Sequence, residues 1–215
     1  MVFLILLLSS KGIEPMEIKL PNPILTGKVT IEECIAKRRS IREFSNKPIT
    51  LKEISQLLWS AQGITHAIGG ASILTGRASP SAGATYPLEI RVIKSDGVFH
   101  YIPEEHKLVM ENPVDLRKKL AQSALSQSCI EKAPCSFVLS AIYARTTRRY
   151  GERGKRYVHI EVGHSAENLH LQAVALGLGS VPIGAFYDEK VKELLNLPQD
   201  EEPLYIIPVG HPLIH

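Results

Sequence analysis

Cysteine is scarce in this sequence, and the spacing of the few cysteines argues against a disulfide scaffold. The 215 residues contain 3 cysteines, Cys34, Cys129 and Cys135, and no two of them form a CxxC pair. An odd number of scattered cysteines is typical of a protein in a reducing compartment. All three lie in apolar stretches, so none is predicted to be an activated nucleophile. We therefore expect a cytoplasmic location.

Long hydrophobic runs are also missing. The apolar run at residues 2–8 is far shorter than the roughly 20 residues that a membrane-spanning helix needs. The run has no basic segment before it and no small-residue cleavage site after it, which are the marks of a signal peptide. The sequence therefore predicts a protein with no membrane partner.

Charge of one sign is in small excess only, and that excess is local. The formal net charge is +3, yet residues 145–157 alone carry six basic side chains against Glu152. The rest of the chain holds 19 basic and 21 acidic residues. A nucleic-acid-binding protein spreads positive charge more widely, so we predict no nucleic-acid partner. Two other interpretations of the basic run stay open: an RNA contact through its interleaved tyrosines, and a solvated loop before a long helix.

Apolar periodicity and turn signals predict an α+β fold with one mainly antiparallel or mixed sheet and helices packed on it. Capping-box patterns at Thr30–Glu33 and Thr50–Glu53 open two helices. Asp96-Gly97 between two apolar runs predicts a β-hairpin. The small polar residues of 64–85 predict a long loop. Further helices are predicted at 115–125, 158–176 and 188–195, and strands at 88–94, 98–102, 136–142 and 204–209.

Proline punctuation divides the chain into two parts. Pro15, Pro21 and Pro23 mark an extended N-terminal arm without helical periodicity. We assign this arm to residues 1–27 and a single domain to residues 28–215.

The first candidate site is the basic segment that follows the first helix. Arg38, Arg39, Ser40 and Arg42 place three guanidiniums and one hydroxyl within five residues. Arginine binds phosphate through parallel charge-assisted hydrogen bonds, so this segment is a candidate phosphate clamp. The alternative is a solvated basic helix terminus, which the helix dipole favours.

Two glycine-containing segments are further candidates. Residues 79–87 combine small side chains, which let a backbone approach a ligand closely, with the hydroxyls of Ser81 and Thr85. Residues 177–186 place a stiff Val-Pro-Ile piece before Gly184, against which a flat aromatic cofactor could lie. The alternatives are a plain turn before a strand and a glycine C-cap with a connector.

The histidines of the long helix do not have the spacing of a zinc site. His159, His164 and His170 lie five and six residues apart, whereas a zinc-binding helix places two histidines four apart. We expect polar-face or core histidines and no metal. A Gly-x-Ser-x-Gly elbow is also absent, which argues against a hydrolase of that type.

Taken together, these segments are more specific than each is alone. In their order and spacing the chain resembles the FMN-dependent nitroreductase superfamily, and within it the SagB-type dehydrogenase group, which includes azoline-oxidising enzymes. The resemblance covers about residues 28–212. It is carried by Arg38–Phe44, Leu57–Ile64, Pro80–Glu89, His100-Tyr101, Tyr150–Gly154, Glu161–His164 and Gly177–Phe186.

The resemblance implies an α+β sandwich that forms an intertwined homodimer with FMN at the interface and the helix 158–176 at its centre. It implies an oxidoreductase that cycles hydride at flavin N5 between a donor, NAD(P)H or a substrate such as a peptide azoline, and an acceptor, which is a small molecule or a peptide. The FMN-binding residues implied are the segment Arg38, Arg39, Ser40 and Arg42, the loop Pro80, Ser81, Ala82 and Gly83, and the piece Pro182, Ile183 and Gly184.

The chain departs from the family pattern in two places. Many nitroreductases hold the phosphate with a further cation near the C-terminus, where this chain reads Gly210–His215; His211 or Arg149 is our candidate substitute. Azoline oxidases use a Lys-Tyr pair where this chain has Arg149-Tyr150, and arginine does not carry protons near neutral pH. We assign Tyr150 as a catalytic acid or substrate-positioning group. The competing hypothesis is a flavin-binding or scaffold subunit of a modification complex without turnover.

Overall fold

The structure, a computed structural model, describes residues 16–67 and 74–213 of the chain. The apolar run at 2–8 and His215 therefore lie outside the described residues. The strands are Glu17–Lys19 (β1), Ile64–Ala67 (β2), Leu74–Arg77 (β3), Leu88–Lys94 (β4), Gly97–Ile102 (β5), Lys107–Asn112 (β6), Cys135–Ile142 (β7), Gly179–Ser180 (β8) and Glu201–Gly210 (β9). The helices are Ile31–Lys37 (α1), Leu51–Gln62 (α2), Arg117–Ser123 (α3), Ser128–Lys132 (α4), Ala144–Tyr150 (α5), Arg153–Ala175 (α6) and Asp188–Leu194 (α7).

One sheet organises the described chain. Its seven strands run in the order β1-β6-β5-β4-β7-β9-β8, and every ladder in it is antiparallel. The predicted hairpin is present, with Lys94 opposite Gly97, whose φ of +139° needs a glycine. The α+β prediction with a mainly antiparallel sheet is confirmed.

Helices cover both faces of this sheet. On β4, Ile90 and Val92 point into the core formed with α2 and α6, whereas Ile93 points into the core formed with α3, α4 and α7. Residues Cys135–Ala141 of β7 are buried without alternation, as expected for a central strand with both faces covered. The sheet is therefore the rigid platform on which α6 and the connecting segments lie.

The ends of α1 and α2 follow from local sequence. The Thr50 side chain accepts from the Glu53 amide, and the Glu53 carboxylate accepts from the Thr50 amide, which is the full capping box. Thr30 accepts from the Glu33 amide in the same way. These two helix starts are confirmed as predicted.

Two predictions about connecting segments are wrong. Residues 64–85 are not one long loop, because β2 and β3 pair as a separate hairpin and a short 3-10 turn forms at Ala82–Ala84. Residues 145–157 are not a solvated loop either, since α5 and the start of α6 occupy them. Gly154 makes this helix pair possible: a Cβ there would lie 2.9 Å from the Thr147 Cα. The long helix thus begins at Arg153.

Candidate functional site

The helix α6 links two groups of polar residues. Its sheet-facing side buries Val158, Val162, Leu169 and Ala173. Glu161 lies in the first half of α6 and His170 in its second half. They are nine residues apart, which at 1.5 Å per residue is about 13 Å along the helix axis. Each of these two buried side chains contacts one of the segments that the sequence singled out.

The arginine segment, residues 38–42, lies against the strand that follows α6. The Ile41 amide donates to the Ser180 carbonyl over 3.0 Å, and Ser40 and Ser180 form a parallel bridge. A Cβ on Gly179 would lie 2.7 Å from the Ile41 Cβ, so only glycine permits this approach. Residues 38–42 and 179–184, which are far apart in sequence, are thereby neighbours.

The cations of the arginine segment differ in what they contact. The Arg39 guanidinium folds back onto the carbonyls of Ala36 and Arg38, where it closes the end of α1. Arg38 is half-buried and Arg42 is exposed. Within the described residues, neither of the two has a carboxylate at ion-pair distance. Their charge is therefore available to an anion from outside the chain.

Two histidines border this segment. The Ser45 amide donates to the His211 carbonyl over 2.9 Å, which brings the predicted residue His211 beside residues 43–45. Its buried Nε2 has no hydrogen-bond partner and lies 3.7 Å from the Glu53 carboxylate. His170 is 2% exposed, and its Nδ1 lies 2.7 Å from the Ser180 hydroxyl. Burial lowers the pKa of His170 to about 4, and the charge of Arg38 acts in the same direction.

The piece 182–184 presents a single amide. Pro182 has no amide hydrogen, and Ile183 exchanges both backbone hydrogen bonds with Ile206, at 2.8 and 3.0 Å. Gly184 is exposed. In this described segment, the Gly184 amide is consequently the donor left for a ligand.

The turn at residues 81–86 has a strained backbone. Gly83, Ala84 and Tyr86 have φ of +60°, +54° and +43°, and the left-handed region costs about 1–2 kcal/mol for a residue with a Cβ. Several contacts hold this shape: the Tyr86 amide donates to the Ser81 hydroxyl over 2.9 Å, and the Arg149 guanidinium donates to the Gly83 carbonyl over 3.0 Å. Strain of this kind persists only where surrounding contacts fix it, and it clusters at functional sites.

Glu161 is the buried acid beneath this turn. It is 2% exposed, and its buried Oε1 has no hydrogen-bond partner among the described residues. Burial raises the pKa of Glu161 to about 7, although the nearby Ser81 hydroxyl and the charge of Arg77 oppose that shift. Glu161 is part of the stretch Glu161–His164, which carries the family resemblance. Nothing in the sequence predicted that its side chain would be buried under the turn.

Tyr150, the last residue of α5, lies against the same turn. A Cβ on Gly83 would lie 2.5 Å from the Tyr150 hydroxyl, and the Arg149 guanidinium lies over the Tyr150 ring at 5.4 Å. The structure thus brings Tyr150 together with Ser81, Ala82 and Gly83. It places the arginine segment, 182–184 and His211 together as a second group, toward the other end of α6.

A buried charged network was missed by the sequence reasoning. Arg91, which is 3% exposed, pairs with Glu201 and with Glu111, the latter at 2.7 Å. His100 lies 2.7 Å from Glu89, which also pairs with Arg145. The alternation of charged and apolar residues along β4 is the sequence pattern that could have indicated this network. Because its charges are mutually paired, the network fixes strands and helix α5 rather than offering a free charge.

Other reactive groups offer less. Burial raises the pKa of all three thiols, that of Cys135 to about 12, which agrees with the prediction of inert cysteines. Across residues 16–67 and 74–213, no group of three or more His, Cys, Asp or Glu side chains is arranged to hold a metal ion. In that same part of the chain, no helix is both long and apolar enough to cross a bilayer.

Comparison with known proteins shows the class to which this fold and site belong. A crystal structure of a protein from Ralstonia eutropha, provisionally named a nitroreductase, superposes with a TM-score of 0.81 at 28% identity over 95% of this chain and 97% of that one. The architecture is thus that of the nitroreductase-fold proteins. The nitroreductase family also matches residues 35–211 of the sequence. The chain therefore belongs to the nitroreductase family.

Relatives in other organisms agree with this assignment. A protein of Methanocaldococcus jannaschii, provisionally named a nitroreductase, is 45% identical over 92% of this chain and 97% of its own length. The NADPH-dependent FMN reductase of Bacillus subtilis is 26% identical over 84% of this chain and 65% of its own length. The trifolitoxin operon protein TfxC of Rhizobium leguminosarum is 26% identical over 88% of this chain and 57% of its own length. Family and relatives together support a flavin-dependent oxidoreductase in general.

Proposed function

We propose that the chain is an FMN-dependent oxidoreductase that works as a homodimer and transfers hydride between NAD(P)H or another donor and a small-molecule or peptide acceptor. One observation carries this proposal. The cations of the arginine segment, which have no carboxylate partner among the described residues, and the strained 81–86 turn lie toward opposite ends of α6 in one chain. A second copy in antiparallel orientation would bring the arginine segment of one subunit opposite the turn of the other.

The residues of the arginine group fit the chemistry of FMN. Arg38 and Arg42, which have no ion-pair partner in the described part of the chain, offer positive charge to a phosphate, and the exposed Ser40 adds a hydroxyl donor. Pro182 and Ile183 offer an apolar edge for a flat ring, and the Gly184 amide offers a donor to it. When bound, FMN supplies the hydride-accepting centre. The protein residues supply charge neutralisation, orientation and exclusion of water.

Exposed apolar side chains support the homodimer. Ile31 and Ile35, one turn apart on α1, are 55% and 60% exposed, and Ile160 on α6 is 48% exposed. Gly163, one turn after Ile160, has open space where a Cβ would be. Large aliphatic side chains on two neighbouring helices form a surface that a second copy would bury.

The finer assignment, a SagB-type dehydrogenase, rests on the motifs Pro80–Pro87 and Tyr150–Gly154. The similarity to TfxC, a protein of a trifolitoxin operon, favours the same assignment. Tyr150, beside the turn, is our candidate for the acid or substrate-positioning group. Because Arg149 does not transfer protons, we propose hydride transfer without a Lys-Tyr pair.

The ion pairs and hydrogen bonds of the basic residues in 145–157 argue against a nucleic-acid partner. Arg145 pairs with Glu89, and Lys155 pairs with Glu152. The Arg149 guanidinium donates within the chain to Gly83. Much of the charge of 145–157 is therefore used by the fold. We propose a cytoplasmic location and the single domain 28–215 on the arguments from sequence.

The spectrum of the purified full chain tests the proposal. We expect flavin absorbance near about 450 nm after loading with FMN, and bleaching within seconds on anaerobic mixing with NADH or NADPH. Persistent colour would favour the competing hypothesis of a flavin-binding subunit, for which the replacement of Lys by Arg149 is the favouring observation. Failure to load FMN at high concentration would contradict both.

A further inference from the structure

A cavity of about 310 Å³ lies against strands β4 and β5, and none of the residues proposed to bind FMN lines it. This volume is at the lower end of the range of about 300–1,000 Å³ that is typical of small-molecule pockets. Apolar side chains of β4, β5 and the turn after β5 form part of its wall. The polar part of the wall consists of Gln62, Arg77, Glu89, His100, Glu104 and Arg145. The size and the lining therefore suit a small molecule with an apolar body and a polar group.

Arg77 is a cation of this cavity whose hydrogen bonding is incomplete. Its Nη1 donates to the Gln62 carbonyl over 3.2 Å, and its Nη2 donates to one oxygen of Glu104 over 2.5 Å. Its Nε is buried and has no hydrogen-bond partner among the described residues. Nε and Nη2 form the edge of a guanidinium that binds both oxygens of a carboxylate side by side. Glu104 therefore uses only half of this edge.

Glu104 is held weakly at this position. Its side chain is 61% exposed, whereas that of Arg77 is 12% exposed. An ion pair with a solvent-exposed carboxylate contributes little, because water competes for that carboxylate. A carboxylate with an apolar body, which gains from leaving water, can therefore displace Glu104 from Arg77.

A second donor in contact with Arg77 is also unsatisfied. Gln62 is 2% exposed, and its side-chain Nε2 has no hydrogen-bond partner in the described part of the chain. Buried donors without a partner are rare in folded proteins. Because the Arg77 guanidinium already donates to the backbone of Gln62, the two unsatisfied donors belong to residues that touch. A carboxylate only accepts hydrogen bonds, so it matches both donors.

The remaining charged groups of the cavity are paired with one another. Glu89 pairs with Arg145, and its carboxylate lies 2.7 Å from the His100 Nε2. The Arg145 guanidinium also donates to the Tyr86 carbonyl over 3.1 Å. This cluster is polar but its charges are compensated, which leaves Arg77 as the cation with a hydrogen-bonding position to offer.

We propose that this cavity is a binding site for a small organic carboxylate, which the Arg77 guanidinium holds through Nε and Nη2 in place of Glu104. The Gln62 side chain donates to the same ligand, and the apolar side chains of β4 and β5 contact its body. The site shares no residue with the proposed flavin site, so the inference stands or fails independently of the proposed function.

Isothermal titration of the full chain with sodium benzoate tests the inference, with benzamide as the neutral isostere. We expect saturable binding of benzoate and no binding of benzamide at the same concentrations. Arg77→Gln should weaken benzoate binding about tenfold or more, because it removes charge-assisted hydrogen bonds. Arg148→Gln changes an exposed arginine of α5 outside the cavity, so this matched control should bind benzoate as the wild type does.

Glu104→Gln separates a binding role of Arg77 from a merely structural one. This exposed substitution removes the carboxylate that competes for Nη2, so benzoate should bind several-fold more tightly. Titration with N-acetylphenylalanine distinguishes a free organic acid from the carboxyl end of a peptide, and loss of either ligand in Arg77→Gln supports the inference.

Three results would overturn the inference. The first is the absence of saturable binding of both carboxylates to the wild type. The second is equal affinity of the wild type, Arg77→Gln and Glu104→Gln for benzoate, or equal binding of benzamide. The third is binding that Arg38→Ala removes and Arg77→Gln keeps, since benzoate would then occupy the arginine segment.

Discussion

The two ends of α6 deal with polar groups in opposite ways. At the 81–86 turn, polar groups form hydrogen bonds within the chain: the Ser81 hydroxyl accepts from the Tyr86 amide, and the Arg149 guanidinium donates to the Gly83 carbonyl. At the arginine segment, Arg38 and Arg42 keep their charge unpaired within the described residues. The turn at one end therefore has a fixed backbone shape, and the arginine segment at the other end offers positive charge to a ligand. A site assembled from both recognises a flat ring with an anionic tail.

The two buried titratable groups of α6, Glu161 and His170, have pKa values shifted in opposite directions. Glu161 gives the first prediction. Glu161 has its pKa raised from the ordinary 4.5 to about 7, so the unfolded chain loses its proton first as the pH rises. The native state should therefore lose about 3 kcal/mol of stability between pH 4.5 and 7 because of this group. Glu161→Gln removes that loss. Urea unfolding at pH 5 and pH 8 measures it, and an equal effect of the substitution at both pH values would refute it.

His170 should show the opposite sign. Its pKa is lowered from 6.5 to about 4, so the unfolded chain takes up a proton first as the pH falls. Stability contributed by the neutral ring is present above pH 6.5 and decreases by about 3 kcal/mol toward pH 4. His170→Asn, which does not titrate, should flatten the acid limb of the same unfolding curves. His164→Asn, on the exposed side of α6, is the control and should leave that limb unchanged.

Arg38 and Arg39 give the next contrast. Arg38→Ala removes a cation that has no carboxylate partner among residues 16–67 and 74–213, and it should weaken FMN binding by about 1.5–3 kcal/mol, or roughly 10- to 100-fold. Arg39→Ala removes a guanidinium that already lies on the Ala36 and Arg38 carbonyls, so its effect on FMN affinity should be much smaller. Isothermal titration with FMN separates the two. Equal losses would mean that both guanidiniums act on the ligand only as general positive charge.

Gly179 tests whether the arginine segment depends on its close approach to β8. In Gly179→Ala the new methyl group would lie 2.7 Å from the Ile41 Cβ, and overpacking of this kind costs about 1–3 kcal/mol. We expect a lower melting temperature and weaker FMN binding. Adding Ile41→Gly, which removes the Cβ at 2.7 Å, should restore much of both. A double variant no better than Gly179→Ala would show that the contact with Ile41 is not the cause.

The parts of the fold that sequence reasoning found are those with local causes. Thr50 and Glu53 form their capping box within one turn, and Asp96-Gly97 forms its turn between adjacent strands. Strands β1 and β6, which lie next to each other at one end of the sheet, were missed because their residues are mostly charged or lack a period-two apolar pattern. Helix α5 was missed because its basic composition resembles a solvated loop, while its packing depends on Gly154 and on contacts with the turn.

In the candidate site, too, the sequence predicted the residues that local motifs mark and missed those that tertiary contacts bring in. The motifs found the segments that contain Arg38, Ser81 and Gly184, because residue type and order are visible in the sequence. The partners of these segments depend on tertiary contacts: Ser180 beneath Ile41, His170 beneath Ser180, and Glu161 beneath Ser81. Burial, which perturbs Glu161 and His170, has no local sequence signal.

Subunit mixing tests most directly the central claim that one flavin is held by the arginine segment of one chain and the 81–86 turn of the other. Arg38→Ala lacks the first half of the site, and Gly83→Val disrupts the second, because a side chain there meets Tyr150 and needs φ of +60°. A differently tagged heterodimer of the two variants contains one site with both defects and one intact site. We predict one tightly bound FMN per heterodimer, although neither parent homodimer binds FMN tightly. Absence of tight binding in the isolated heterodimer would contradict the account.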